Sequence, residues 1–155
     1  VADQIVEKGI YVDATVATGY MRTFRDPDFN EEQARMFRDP GERASILQDM
    51  RKRGVKFVSG IDSGMLYVRF GDIAYTPERM VDVIGMGNME AIVACTKTSA
   101  ECLDVDNETG TIDKGKSADI IIVDGNPNDD IKALHNISTV MLRGNIVKED
   151  GKELI

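Results

Sequence analysis

The apolar and polar positions in the first part of the chain predict two helix–strand pairs. Apolar residues at helical spacing predict a helix over residues 1–8, and Gly9 follows where a glycine commonly ends a helix. Residues 10–17 and 55–61 are rich in β-branched and aromatic side chains, which favour strands. A helix over residues 42–53 is predicted between these strands. Strands that alternate with helices predict a parallel sheet joined by right-handed crossovers.

Three further stretches have weaker patterns. Residues 18–40 are polar and contain Asp-Pro pairs, which predicts a loop with a short helix around residues 30–37. Residues 65–75 predict a loop with large apolar side chains. The Thr-Pro-Glu sequence at 76–78 then predicts a helix with the threonine as its N-cap and an end near Gly85 or Gly87.

Another helix is predicted to start with Asn88 as its N-cap. Its apolar face is expected to contain Ile92, Cys95, Ser99 and Cys102. The two cysteines lie seven positions apart, too far for a disulfide within one helix. We therefore predict two reduced, buried thiols, as is usual for a cytosolic protein.

The last part of the chain changes character. Short strands are predicted over residues 118–123, 137–142 and 145–148, with turn sequences between them. Residues 1–103 thus form an α/β part, and residues 104–155 a small β unit packed on it. Because two strands cannot make a stable parallel sheet alone, the chain is expected to belong to something larger.

Size and charge narrow the classes of function. The chain has 155 residues and a net charge of −8, without a basic stripe, which argues against a nucleic-acid partner. Its apolar runs are far shorter than the roughly 20 residues needed to cross a bilayer, so no membrane association is predicted. The first residues lack the pattern of a secretory signal, and we predict a cytoplasmic location.

The most informative single residue is Asp62, which follows the strand predicted over residues 55–61. In parallel α/β folds the carboxyl ends of the strands carry the chemistry, although an aspartate there can also simply cap a turn. Ser59 and Gly60 leave room for another group to approach the backbone. His135 is the only histidine, so the chain has no multi-histidine zinc site, and we predict that His135 is structural or solvated.

Four segments together resemble the C-terminal half of the amidohydrolase superfamily, most closely its imidazolonepropionase and prolidase-like branch. They are GVKFVSGIDSG (54–64), GMGNMEAIVACTKTSAECL (85–103), GTIDKGKSADIIIVDGNPNDDI (110–131) and VMLRGNIVKEDGK (140–152). The resemblance implies an α/β fold in which residues 1–103 supply the last two strands and helices of a (β/α)8 TIM barrel. Residues 104–155 would supply the C-terminal strands of a composite β-sandwich.

The resemblance also implies roles for individual residues. Asp62 falls on the family's aspartate at the end of strand eight, which contacts the metal and handles the proton of the attacking water. The implied cofactor of the full-length enzyme is a divalent metal, namely zinc, and the chain alone is expected to retain none because the other ligands would precede Val1. The loop over residues 65–75 would lie over the barrel mouth. Candidate substrate contacts are Tyr67, Arg69 and Phe70, with Thr15 and Asp13 as weaker candidates.

Three interpretations of the chain stay open. In the first, the chain is a fragment of a metal-dependent hydrolase that cleaves C–N bonds of small-molecule cyclic amides or dipeptides. The parent protein is then the enzyme, the chain alone is inactive, and its open strand edges bind the missing N-terminal half or another copy. In the second, the 155-residue chain is itself a non-catalytic binding or assembly module. A self-contained α/β protein would instead need to dimerise.

Overall fold

Helices and strands are mixed throughout the chain. The computed structural model describes residues 1–28, 30, 32, 35 and 41–154. The short helix predicted around residues 30–37 lies largely outside this described part. Within it, no helix is both long enough and apolar enough to cross a membrane.

The described residues of the first part of the chain form three helices longer than five residues and two short strands. In chain order these are α1 (Ala2–Glu7), β1 (Tyr11–Asp13), α2 (Thr18–Arg25), α3 (Gly41–Lys52) and β2 (Lys56–Val58). The predicted helix–strand alternation is confirmed, although both strands are shorter than predicted. The two strands pair in parallel, as expected.

Helix α2 replaces a predicted loop. It forms because Ala17 and Met21, one turn apart, are fully buried beside Ile61 and Val68. The Asp-Pro pair that suggested a loop instead marks the end of the helix. Asp26 is extended, with φ −92° and ψ 109°, as expected for a residue before proline.

The next helical segment begins earlier than predicted. A 3₁₀ turn over Phe70–Ala74 leads into α4 (Tyr75–Arg79) and a wider π-type turn over Met80–Ile84. Thr76 is buried inside this segment and is not the N-cap, so that prediction was wrong. The segment ends at Gly85, whose φ of 74° is readily adopted by glycine, and this end was predicted correctly.

A second helical segment follows immediately. It comprises α5 (Asn88–Val93), a π-type turn over Ala94–Thr98 and α6 (Ser99–Cys102). The residue at the N-cap is Gly87, not Asn88, and its N–H donates to the Glu90 carboxylate at 3.2 Å. The segment was predicted correctly, with its start displaced by one position.

The buried face of this segment differs from the predicted one. Its most buried side chains are Ala91, Ala94 and Ala100, and these small residues let the helix approach the sheet closely. Cys95 is half-buried and Cys102 is exposed, so the prediction of two buried thiols was wrong for Cys102. Both thiols are free.

The last part of the chain forms an antiparallel sheet. Its strands are β3 (Ile120–Val123), β4 (Ile137–Leu142), β5 (Asn145–Glu149) and β6 (Lys152–Glu153), arranged in sequence order. The three predicted strands are confirmed within two residues, and β6 extends the sheet. A 3₁₀ turn over Ile131–His135 lies between β3 and β4.

The elements are connected by a main hydrophobic core and by a polar contact at His135. The main core packs α3 and β2 against both helical segments and consists of Val16, Leu47, Val55, Phe57, Met80, Val83, Ile84, Met86, Ala91 and Ala94. The 3₁₀ turn before β4 contacts α4 through His135, whose Nε2 lies 2.7 Å from Glu78 Oε2. The His135 ring also packs edge-on against Tyr75, with 4.5 Å between ring centroids.

Candidate active site

The carboxyl ends of β1 and β2 lie side by side because the strands are parallel, with Asp13 opposite Val58. After each strand the backbone enters the left-handed region, at Thr15 (φ 42°) and Asp62 (φ 54°). This conformation costs a non-glycine residue roughly 1–2 kcal/mol and is often retained at functional sites. Arg43 of α3 fixes the first turn by donating from Nη2 to the Ala14 carbonyl oxygen at 2.7 Å.

Asp62 presents an exposed carboxylate at this edge. The turn after it is closed by its backbone, since the Met65 N–H donates to the Asp62 carbonyl oxygen at 3.2 Å. Asp62 Oδ2 lies 3.4 Å from Thr18 Oγ1, and the same hydroxyl is closer to the Ile61 carbonyl oxygen, at 3.0 Å. The Asp62 carboxylate is therefore accessible, and it lies next to a hydroxyl whose shorter contact is with the neighbouring backbone carbonyl.

Gly60 is in close contact with Asp13. A Cβ at position 60 would lie only 1.7 Å from Asp13 Oδ2, so glycine is required for this approach. The other carboxylate oxygen, Oδ1, accepts the Thr15 N–H at 2.8 Å. The room that the sequence predicted at Gly60 is thus filled by Asp13, and a second carboxylate stands at the same strand edge as Asp62.

The candidate substrate contacts after β2 lie in a tight loop. The Gly64 N–H donates to the Val68 carbonyl oxygen at 3.1 Å and closes it. The Phe70 ring packs beside Gly64, with Cζ 3.6 Å from the position of a Cβ there, and Phe70 is still 81% exposed. The side chain of Arg69 is also exposed. Both side chains are therefore accessible to solvent in the loop that follows the strand.

Tyr67 differs from these two. Its backbone is left-handed, with φ 70°, and its carbonyl oxygen accepts from Arg25 Nη1 at 3.0 Å. The pKa of its phenol is raised above the ordinary value, first by partial burial and then by a hydrogen bond to Asp26. Tyr67 is therefore bound to the end of α2.

The loop also depends on an ion pair that sequence analysis missed. Arg25 forms a bidentate pair with Asp72, in which Nη2 donates to Oδ1 at 2.8 Å and Nη1 donates to Oδ2. Arg25 holds the pKa of the Asp72 carboxyl below its usual range, mainly through this hydrogen bonding. The partners are 47 positions apart, so no local spacing indicated them. The helical repeat of Ala17 and Met21 was the available signal for α2.

The described residues do not supply a complete metal site. No three His, Cys, Asp or Glu side chains of that part of the chain are grouped so that they could hold an ion. His135 is paired with Glu78, and burial raises the pKa of the Cys95 thiol to about 11, which disfavours the thiolate that binds metals. The carboxylate of Asp62 suits a single ligand position only.

A helix-covered parallel strand pair with an acid at its carboxyl end is typical of α/β enzymes, and comparison with known proteins identifies the family. The chain belongs to the amidohydrolase family, whose sequence profile matches residues 3–147. This family generally uses divalent metals. The predicted family resemblance is thereby confirmed. A search of curated protein sequences returned no match.

Solved structures agree with this assignment. A Xaa-Pro dipeptidase with bound methionine in its active site is 29% identical, with a TM-score of 0.75 over 95% of this chain. A putative prolidase from Bifidobacterium longum is 26% identical, with a TM-score of 0.77 over 94% of this chain. Ochratoxinase from A. niger is 25% identical, with a TM-score of 0.74 over 97%. The chain spans only 36%, 37% and 34% of these three proteins, respectively.

Proposed function

We propose that this chain is the C-terminal part of a metal-dependent hydrolase that cleaves C–N bonds in amides, cyclic amides or dipeptides. Family membership supports hydrolysis, and the dipeptidase and prolidase among the similar structures favour a dipeptide substrate. The single observation that carries the assignment within the chain is the exposed carboxylate of Asp62 at the carboxyl end of the parallel strands.

In this proposal Asp62 accepts the proton of the attacking water and passes it to the leaving nitrogen. A positioned carboxylate commonly performs such general acid–base steps. The metal, which we propose to be zinc, lowers the pKa of bound water to about 7 when it is present. Its remaining ligands come from outside the described residues.

The proposed architecture follows from the same family. Strands β1 and β2 correspond to strands seven and eight of a (β/α)8 barrel, and α1 to the sixth helix. Residues 1–103 then belong to the barrel, and residues 104–155 supply the C-terminal strands of the small β-sandwich. A cytoplasmic location stays a prediction.

We also propose how substrate is contacted. Arg69 is exposed and pairs with a substrate carboxylate, because a guanidinium binds carboxylates bidentately. Phe70 packs against an apolar substrate side chain, and Thr15 lines the opposite strand end. Tyr67 contributes chiefly by holding the loop, since its hydroxyl is bonded to Asp26.

The proposed partner of the chain is the missing N-terminal half, or a second copy when that half is absent. A cleft of about 700 Å³ lies between the second helical segment and residues 109–121, and it is lined by apolar side chains including Met89, Val93 and Leu103. Among the described strands, β3 has a neighbour in the sheet on one side only. An apolar cleft beside a sheet edge suits a strand added by that partner. Because the remaining metal ligands would also come from the partner, we propose that the chain alone is inactive.

The decisive experiment compares this chain alone with the same chain extended by its upstream sequence. Metal content and hydrolysis of Xaa-Pro dipeptides would be measured for both forms. We expect tight zinc binding and turnover only in the extended form. There, Asp62→Asn should lower kcat by about 10²–10⁴-fold while unfolding stays normal.

Two outcomes would contradict the proposal. Near-normal turnover of Asp62→Asn would remove this residue from the mechanism. If both forms fold normally but neither binds metal nor hydrolyses the substrate, the result would favour the alternative of a non-catalytic binding or assembly module. A suitable control is Asp49→Asn, an exposed aspartate on α3 that pairs with Arg53 away from the strand edge.

A further inference from the structure

Helix α2 contacts the candidate active site at both of its ends. At its first residue, the Thr18 hydroxyl lies 3.0 Å from the Ile61 carbonyl oxygen and 3.4 Å from Asp62 Oδ2. At its last residue, Arg25 contacts both Asp72 and the backbone of Tyr67. Eight residues of helix thus connect the candidate catalytic carboxylate to the loop that follows it.

The Arg25–Asp72 pair is the main attachment of the loop. The Arg25 side chain is 20% exposed and that of Asp72 only 7%, so both charges are largely withdrawn from water. Asp72 Oδ2 also accepts the Arg69 N–H at 2.7 Å, and Arg25 Nη1 donates to the Tyr67 carbonyl oxygen at 3.0 Å. The pair therefore fixes the backbone on both sides of Val68.

Stability alone is a weak reason for such a pair. Withdrawing two charges from water costs free energy that their attraction often only balances, and apolar residues of similar size frequently stabilise as well or better. What the pair adds here is defined geometry, because Arg25 and Asp72 each also bond to the loop backbone. Asp26, directly after α2, adds a further bond to the Tyr67 hydroxyl.

We propose that α2 is a positioning element of the active site. Thr18 binds the Ile61 carbonyl oxygen and so fixes the backbone that carries Asp62, while Arg25, acting through Asp72, holds the loop that presents Arg69 and Phe70 to the substrate. The catalytic role of α2 rests on the proposed hydrolase function. Its role in holding the loop does not depend on that function and can be tested separately.

The first test measures hydrogen–deuterium exchange in Arg25→Gln. In peptides covering residues 62–72, amide exchange should rise about tenfold, while peptides of β2 keep their wild-type rates. Arg51→Gln is the matched control, because it removes another bidentate pair, with Glu90, away from the loop. If Arg25→Gln fails to fold, Arg25→Lys keeps the charge without the fork and allows the same comparison.

The second test uses kinetics in whichever form of the protein hydrolyses dipeptides. Arg25→Gln should raise KM about tenfold with a smaller change in kcat, whereas Thr18→Val should lower kcat with KM nearly unchanged. Arg51→Gln should alter neither constant. If α2 had only a structural role, its variants would lower the folded fraction of the protein, and they would not affect KM and kcat differently.

The outcomes distinguish the two proposals. The positioning role would be overturned if amide exchange in the loop rose only in parallel with exchange in β2. It would also be overturned if both α2 variants left KM and kcat unchanged. If the wild-type protein shows no hydrolysis in any form, the hydrolase proposal fails. The exchange measurement then decides alone whether α2 holds the loop.

Discussion

Gly60 is the residue at which the two strand ends touch, and its replacement makes the sharpest prediction at the scale of single residues. In Gly60→Ala the new methyl group would overlap Asp13 Oδ2, because a Cβ at this position would lie only 1.7 Å from that oxygen. We expect a loss of roughly 1–3 kcal/mol in the free energy of unfolding, as for other overpacked sites. Urea unfolding measures this loss. Gly71→Ala, at a position with open space, should change stability by less than about 0.5 kcal/mol.

A double variant identifies the cause. If the Asp13 carboxylate is the obstacle, Asp13→Ala combined with Gly60→Ala should recover most of the loss, giving a clear interaction energy in a double-mutant cycle. Equal losses with and without the carboxylate would show that backbone conformation at position 60 is responsible instead.

Cys95 gives a prediction about reactivity and pH. Its thiol pKa is raised to about 11, first by burial, while a hydrogen bond from Ser59 lowers it in part. Since the thiolate is the reactive form, iodoacetamide near pH 8 should modify the exposed Cys102 and leave Cys95 largely protonated and unmodified. Labelling of Cys95 should grow as the pH approaches 11, as measured by mass spectrometry. Equal labelling of both thiols near pH 8 would contradict this.

The candidate residues that could be predicted from the sequence lie near one another along the chain, and those that could not are far apart. Asp62 and Gly60 belong to one strand end, so strand topology marked them as candidates, and the family resemblance supplied the role expected of Asp62. Thr18 and Arg25 contact partners 44 and 47 positions away, respectively, and act only after the chain has folded. No spacing rule links residues so far apart.

At the scale of elements, the errors concern boundaries and one helix. The helix around residues 76–84 was predicted from the Thr-Pro-Glu signal, yet the segment begins at Phe70. Asp72 accepts the Arg69 N–H and so caps the earlier start. A local signal was overruled because Asp72 is also the partner of Arg25, a tertiary contact. Helix α2 was missed for a similar reason, since burial of Met21 stabilises it more than its local sequence suggests.

The contact between α4 and the turn before β4 can be tested directly. His135→Ala leaves the buried Glu78 carboxylate without its 2.7 Å partner, and we expect a cost of roughly 1–3 kcal/mol in urea unfolding. Glu78→Gln combined with His135→Ala should cost less than the sum of the single changes. Lys132→Ala, an exposed residue of the same turn, is the control and should be nearly neutral. Strict additivity would mean that the two side chains do not cooperate.

At the scale of the whole molecule, the exposed apolar side chains predict association of the isolated chain. Leu66, Phe70, Leu103 and Ile112 are each more than 70% exposed. The net charge of −8 opposes association between copies, and salt screens that repulsion. Sedimentation should therefore show more association as the Debye length falls from about 10 Å at 0.1 M salt to about 3 Å at 1 M. A monomer at all salt concentrations would contradict the prediction.

Most helices and strands, although not α2, could be predicted from the sequence, since they follow from the periodicity of apolar residues. The contacts around the strand pair could not be predicted from this periodicity. Each of the two strands has only three residues and one partner, so most of the contacts that define the site come from α2 and the loop after β2. Those contacts depend on side-chain geometry.

The contact between Asp13 and Gly60 also bears on how the two strands find their alignment. The paired residues Tyr11 and Lys56 are far apart along the chain, and the register of short strands slips easily. A pairing displaced by one residue would bring Ser59 or Ile61 against the Asp13 carboxylate, and either side chain would collide with it. The absence of a Cβ at Gly60 therefore favours the observed register, in which Asp62 lies beside Thr18.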